Sequence, residues 1–372
     1  METRAMKKRT DILILILMVA LLISGCWSRR EMESLSYILV LGIDQGEDGG
    51  FKIYAQVGKP RQSEGGGGGG GGEQPVFHTL TSEGRDMSEA VNKLFLKSTK
   101  IPDLSHLQLL IFSTKLAAKG IQQVLDFLRR DFSLRENIRV AVAEVSIEDL
   151  LKVEEKLGNQ PALAIINQFL INTQRSTVVQ AEFKDLVSQL LEPDLQAVLP
   201  MIGASEDRFT LGKTAVFDGY KMAATLDMPE TLGLQLWRDQ VRTGYVTIPQ
   251  SDPGKVVSFK IINSKTKVRV SWKNNKLFVQ ANTDMTLDIQ EMLDIDSKEL
   301  KTRAKHYFVN RMRDTLQVAK DEGIEFLGIS ALLRREDPKK WESVKNRWQE
   351  VLLQAEYDLR CNVRIRGQGP VR

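Results

Sequence analysis

Leu107-Gln108-Leu109-Leu110-Ile111-Phe112, a helical stretch from Leu116 to Arg130, and Ile138-Arg139-Val140-Ala141-Val142-Ala143-Glu144-Val145 come one after another in the chain. The first segment is apolar almost throughout, which is how a strand buried on both faces reads. The second is amphipathic, and the third returns to strand formers. Strand, helix and strand in that order predict a sheet with covering helices.

The same texture extends upstream. Ser82 to Ser98 reads as a helix with Met87, Val91, Leu94 and Phe95 near one face. Tyr37–Ile43 and Phe51–Val57 read as two strands of a hairpin around the turn residues Asp44 to Gly50. Gly65 to Gly72 are eight consecutive glycines, read as a flexible loop. They match Gly-x-Gly-x-x-Gly trivially. The tract leads into Glu73-Gln74-Pro75 and a strand-like Val76–Leu80, whereas a phosphate loop needs a tight turn into a helix.

Downstream, Ile147–Leu157, Pro161–Thr173 and Ala181–Leu191 are helical, punctuated by Pro161 and Pro193. Ala197–Ile202 is a strand. Thr214–Phe217 and Tyr220–Leu226 flank Asp218-Gly219, a hairpin signal, and a short helix runs from Pro229 to Trp237. From Val256 the pattern changes. Val256–Asn263, Lys267–Trp272 and Leu277–Leu287 read as three strands with turns at Ser264-Lys265 and Asn274-Asn275. Lys267, Arg269 and Ser271 alternate with Val268, Val270 and Trp272, so one face is solvated and one covered. The basic residues read as that solvated face, or as a site for acidic headgroups or a partner. Asp296–Glu322 is a long amphipathic helix with Asp296 or Ser297 as N-cap and Gly323 at its end. Helical stretches at Glu325–Arg334 and Trp341–Glu350 and a strand at Tyr357–Ile365 complete the chain.

The expected fold class is therefore α+β, a multidomain mixed α/β chain. An N-terminal sheet carries covering helices, and a C-terminal antiparallel sheet packs on a long helix. The expected organisation is a signal peptide at 1–25 and an N-terminal α/β domain at 26–195 with a flexible Gly loop at 63–74. A small middle β-rich domain at 196–254 and a C-terminal α+β domain at 255–372 complete it. The 372-residue length accommodates several cores.

The N-terminus carries a separate signal. Lys7, Lys8 and Arg9 precede an uncharged run from Ile12 to Ile23, whether Met1 or Met6 is the start. Twelve residues are too few to span a bilayer, which takes roughly 20, but they suit the apolar part of a signal peptide. Leu22-Ile23-Ser24-Gly25-Cys26 closes it in the manner of a lipobox, making Cys26 the lipidation residue. Two acyl chains there give a stable anchor. Trp27 reads either as a headgroup contact or as an ordinary core or surface residue. The only other cysteine, Cys361, sits in a strand-like alternation and reads as a small core residue, with a reactive thiol as the alternative.

Catalytic patterns are missing. The three histidines, His78, His106 and His306, lie far apart, and no His-Glu-x-x-His, Gly-x-Ser-x-Gly, Walker loop or cysteine pair with metal spacing occurs. Carboxylate pairs such as Glu154-Glu155 read as solvated helix faces. No catalytic, cofactor-binding or metal residues are assigned, and no cofactor is expected. The mature part carries only about two excess positive charges, which argues against a nucleic-acid partner.

Cys26-Trp27-Ser28-Arg29-Arg30-Glu31-Met32, with Tyr37 to Asp44 after it, resembles the mature start of the Ger(x)C lipoproteins, the C subunits of nutrient germinant receptors in endospore-forming bacteria. Ser28 stands where that family commonly has an acidic residue. Gly212 to Phe217 with Leu226, Glu230, Thr231 and Gly233 is similar to a second family segment. Lys267–Trp272, Asp288-Ile289-Gln290-Glu291 and the helix after them resemble the family's C-terminal domain. The Gly65–Gly72 tract departs from the pattern, as an insertion in a tolerant loop would.

The resemblance implies a non-enzymatic, lipid-anchored protein on the outer face of the spore inner membrane. It implies assembly with integral-membrane A and B subunits into a complex that senses a small-molecule nutrient, with direct contact by this subunit left open. The alternatives are a lipid-anchored solute-binding protein of a transporter and, less favoured by the missing constellations, a cell-envelope hydrolase.

Overall fold

The strand at Leu109–Ser113 (β5) is buried at every position, because helices cover both faces of the sheet to which it belongs. The computed structural model describes residues 35–58, 77–130, 134–153, 161–174, 176, 178–192, 195–205, 208–249, 256–290 and 297–366. The leader, Cys26, Trp27, the Gly65–Gly72 tract, Glu154-Glu155 and Asp296 lie outside the described residues.

Nine strands form the first sheet. Its main path runs β3 (Phe77–Gly84), β2 (Phe51–Gly58), β1 (Leu35–Gln45), β5, β6 (Arg139–Ala143), β7 (Val198–Ser205), β8 (Arg208–Asp218) and β9 (Lys221–Leu226), with β4 (Ile101–Asp103) pairing β1 off the path. The centre, β1-β5-β6-β7, is parallel. Antiparallel hairpins flank it on both sides. Parallel neighbours require crossovers, and the helices supply them.

Alternate side chains serve opposite layers. Leu110, Phe112, Val140 and Val142 pack with α1 (Met87–Lys97), α2 (Thr114–Lys119), α3 (Gln122–Leu128) and α6 (Phe183–Leu191). Leu109, Ile111, Ala141 and Ala143 pack on α4 (Ile147–Lys152) and α5 (Pro161–Gln174).

Several boundaries differ from expectation for local reasons. Ser82 to Gly84 belong to β3, and α1 starts at Met87, where the Asp86 side chain accepts from Glu89 N at 2.8 Å. The helix expected over Leu116–Arg130 is two helices, because Gly120 sits at φ +130°, a conformation closed to a continuing helix. Residues 196–254, expected as a middle unit, are divided. β7, β8 and β9 extend the first sheet, whereas β10 (Gly244–Pro249), not foreseen as a strand, pairs with the second.

The second sheet has the order β10-β11-β12-β13, with β11 at Val256–Lys273, β12 at Lys276–Ile289 and β13 at Glu356–Arg366. β11 is one strand where two were expected. A bulge between Ile261 and Asn263 shifts its register. Before it Val257, Phe259 and Ile261 are buried. After it Ser264 and Thr266 are, so the inward set changes parity. The polar pair taken for a turn therefore runs through the sheet, and Thr266 Oγ1 meets Thr283 Oγ1 at 2.9 Å.

β10, β11 and β12 are antiparallel, while β13 joins parallel to β12 after the helices. The long helix α8 (Ser297–Asp321) places Leu300, Ala304, Phe308 and Met312 on the core. Lys267, Arg269 and Ser271 are exposed, as the alternation required. The remaining helices are α9 (Ile329–Glu336), α10 (Pro338–Val344) and α11 (Trp348–Gln354). α9 starts later than expected because Glu325 to Gly328 form a loop, and a 3-10 turn at Lys345–Arg347 divides the expected Trp341–Glu350 helix.

α7 (Met228–Trp237) joins the two halves. Leu234, Leu236 and Trp237 share a core cluster with Val198, Val216 and Leu226 of the first sheet and with Phe308 and Met312 of α8. A methyl group added at Gly233 would fall inside van der Waals contact of Thr315 Oγ1 and the Arg311 carbonyl. We expect Gly233→Ala to destabilise the chain by about 2 kcal/mol, the usual scale of overpacking. Leu96→Ser, at an exposed position, is the control. Urea denaturation measures both, and an unchanged midpoint for Gly233→Ala would refute the close approach.

Candidate functional site

The segment after β9 builds the seam between the halves. Leu226 is fully buried, and Asp227 N donates to the Glu230 carboxylate at 2.8 Å, which fixes the first turn of α7. Thr231 Oγ1 lies 3.0 Å from Thr214 Oγ1 of β8, and Thr315 Oγ1 of α8 donates to the Glu230 carbonyl at 2.8 Å. Trp237 Nε1 donates to Met312 O at 2.9 Å. Leu226, Glu230, Thr231 and Gly233, read as a family-like segment, thus each have a physical task at this seam. Lys213 of the same segment pairs with Glu144 at 2.9 Å.

Arg238 comes directly after α7. Its half-buried guanidinium donates to Phe326 O from Nε at 3.0 Å and from a terminal nitrogen at 2.7 Å. The same terminal nitrogen donates to Gln196 O at 3.0 Å. Burial lowers the guanidinium to about 10, with the Glu325 carboxylate acting the other way, so the cation persists at neutral pH. Glu325, itself buried, accepts from Leu327 N at 2.7 Å, from Gly328 N and Ser330 N at 2.8 Å, and from the Ser330 hydroxyl. Asp239 then accepts from Thr266 N at 2.7 Å and pairs with Lys265, which ties the seam to β11. None of these roles was legible in the sequence, where Arg238 and Glu325 look like ordinary surface charges.

Beside the seam is a cavity of about 320 Å³. Gln196 and Asp218 line it from the first half, and Glu325, Trp341, Lys345 and Trp348 are among those lining it from the second. Trp341 and Trp348 stack edge to face with centroids 5.1 Å apart.

The sequence-assigned residues are dispersed. Cys26 lies outside the described residues. Cys361 is buried and free, and burial pushes its thiol up to about 12. That is the core residue the alternation indicated. His106 packs against Tyr37 at 4.3 Å between centroids, and no group of three or more His, Cys, Asp or Glu among the described residues could hold a metal. No helix among the described residues is long and apolar enough to cross a membrane.

Two sheets joined by α7, with a seam of structural charges, define a mixed α/β scaffold. Residues 28–204 match the spore germination protein N-terminal domain, and residues 212–369 match the spore germination B3/GerAC-like C-terminal domain. The chain belongs to the Ger(x)C family of spore germination proteins. It is 24% identical to spore germination protein KC of Bacillus subtilis (strain 168) over 98% of this chain and 97% of that protein. It is also 24% identical to spore germination protein GerQC of Bacillus cereus, over 96% and 98%. The crystal structure of the GerBC protein shares its fold, with a TM-score of 0.56 and 17% identity over 91% of this chain and all of that one.

Lysine cannot supply the planar fork that Arg238 presents to two carbonyls. Arg238→Lys should cost about 2 kcal/mol by leaving a carbonyl without its donor. An unaltered urea midpoint would count against the clamp. In a Cys26→Ala background, Cys361 should resist a thiol reagent at pH 8 while folded and react promptly once unfolded. Equal rates in the two states would show that the thiol is accessible.

Proposed function

We infer that this chain is a lipid-anchored, non-enzymatic subunit of a spore nutrient germinant receptor. A diacylglyceryl group on Cys26 holds it at the outer face of the spore inner membrane. There it assembles with integral-membrane A and B subunits, and the complex triggers germination. One observation carries this reading: two spore germination domains cover 28–204 and 212–369, directly after the lipobox that ends at Cys26.

A further feature agrees with it. Two charged groups at the seam, Arg238 and Glu325, are taken up mainly by backbone partners. Such groups fix a shape, which is what an assembly module needs. The anchor replaces a spanning helix, and two acyl chains suffice for stable attachment.

Replacing Cys26 with Ala in spores tests the reading. Most of the chain should leave the membrane fraction, and nutrient-triggered germination should fall while germination by a nutrient-independent agent continues. Normal nutrient germination with the chain still membrane-bound would refute the anchor. Affinity isolation of the wild-type chain from gently solubilised spore membranes should recover two polytopic partners, and recovery of the chain alone would refute the assembly.

A further inference from the structure

α1 ends at a tip whose apolar side chains the core does not use. Met87, Ala90 and Leu94 form the buried stripe of the helix. Leu96 is 86% exposed, and Phe95 and Ile101 are each 42% exposed. All three lie where the chain leaves α1 through the Ser98 C-cap and enters β4. Single exposed apolar residues are ordinary, but a cluster of large ones marks a contact surface.

The charge around the tip is one-sided. Residues 91–102 include Lys93, Lys97 and Lys100 and no carboxylate. All three lysines are exposed. Lys93 meets Glu89 at 3.0 Å, but Glu89 also takes Arg85 at 3.0 Å. Lys97 Nζ donates to Thr81 O at 2.8 Å. Lys100 pairs with no carboxylate among the described residues. The core of a protein–protein interface is depleted in lysine. A segment resting in a headgroup layer is not, because lysine stems lie along apolar surface while the ammonium stays in the polar layer.

Position supplies the third argument. Leu35, the first residue of β1, pairs with Ile101 of β4. Cys26 stands nine residues before Leu35. Nine extended residues span at most about 30 Å. A lipid on Cys26 therefore keeps this end of the first sheet beside the bilayer. The turn at Glu47 follows the opposite end of β1, about 30 Å along the strand.

We propose that the tip at residues 95–101 is a second membrane contact. Phe95, Leu96 and Ile101 sit in the boundary between headgroups and acyl chains of an anionic bilayer, and Lys93, Lys97 and Lys100 face its phosphates. The orientation rests on the reading of Cys26 as the anchor, and the contact can be tested apart from it.

The full chain as isolated from membranes, carrying a fluorophore on Leu96→Cys or on Glu47→Cys, is reconstituted into phosphatidylglycerol–phosphatidylcholine vesicles with brominated acyl chains. Cys361 is buried and escapes the label. Strong quenching at position 96 and none at position 47 is the expected result. Leu96→Ser should speed transfer of the chain between vesicles about tenfold, the worth of one withdrawn leucine side chain, with the urea midpoint unchanged. Equal quenching at the two positions, or transfer of Leu96→Ser at the wild-type rate, would overturn the proposal. Shielding of position 96 in spore membranes but not in lipid vesicles would assign the patch to a protein partner and overturn it too. Mass spectrometry of the same chains reads the lipid on Cys26. A lipidated chain with position 96 unquenched refutes the tip and keeps the anchor, and an unlipidated chain with position 96 quenched does the reverse.

Discussion

Arg238 is the constraint on which the joining of the two halves rests. Its guanidinium reaches Phe326 O and Gln196 O, which lie on either side of the seam. A planar fork does this where a single ammonium could not. Half-burying a cation is costly, and here the cost is offset by carbonyl oxygens and by the nearby Glu325 carboxylate rather than by a direct ion pair. The rest of the seam depends on the register this sets. Trp237 must reach Met312 O, Gly233 must admit the α8 backbone, and Asp239 must meet Thr266 N. A rotation of α7 by one residue would break all three.

How legible each element is in the sequence depends on how it is buried. β5 and β6, apolar on both faces, were plain from composition alone, whereas the covering helices were legible as helical but not in their starts or in the break at Gly120. The hairpin of β8 and β9 was plain from Asp218-Gly219, although the two connecting residues are Gly219 and Tyr220. β11 was not, because the bulge at Ile261 to Asn263 reverses which parity faces the core. A period-two pattern interrupted this way looks like two strands and a turn. β10 has only three inward positions, too few to stand out before its partner is known. Membership of β7 to β9 in the first sheet is a long-range pairing, which no local pattern encodes.

The site was less legible than the fold. Cys26 announces itself through the order of a leader, whereas Arg238, Glu325, Gln196 and Trp348 carry no spacing signature. Their importance arises only from what surrounds them. Burial turns a commonplace arginine into a clamp, and it turns a commonplace indole into an unpaired donor. The family-like segment at Gly212 to Gly233 lies at the seam, a position its sequence did not indicate. The structure supplies the reason in the hydrogen bonds of Thr231, Glu230 and Thr315.

The cavity and the clamp share a residue. Gln196 gives its backbone carbonyl to Arg238 and is one of the residues lining the cavity, and Asp218 lines it from the end of β8. Every other group named there belongs to the second half. Any molecule filling the cavity therefore touches both halves at once, and by linkage it favours the arrangement in which the Arg238 bonds are made. The reverse holds too: whatever loosens the seam displaces Gln196 and weakens the site. Such a change would pass through the packing of α7 against α8, where Gly233 leaves no slack. The physical route from cavity to seam is thus two residues long, Gln196 and Arg238.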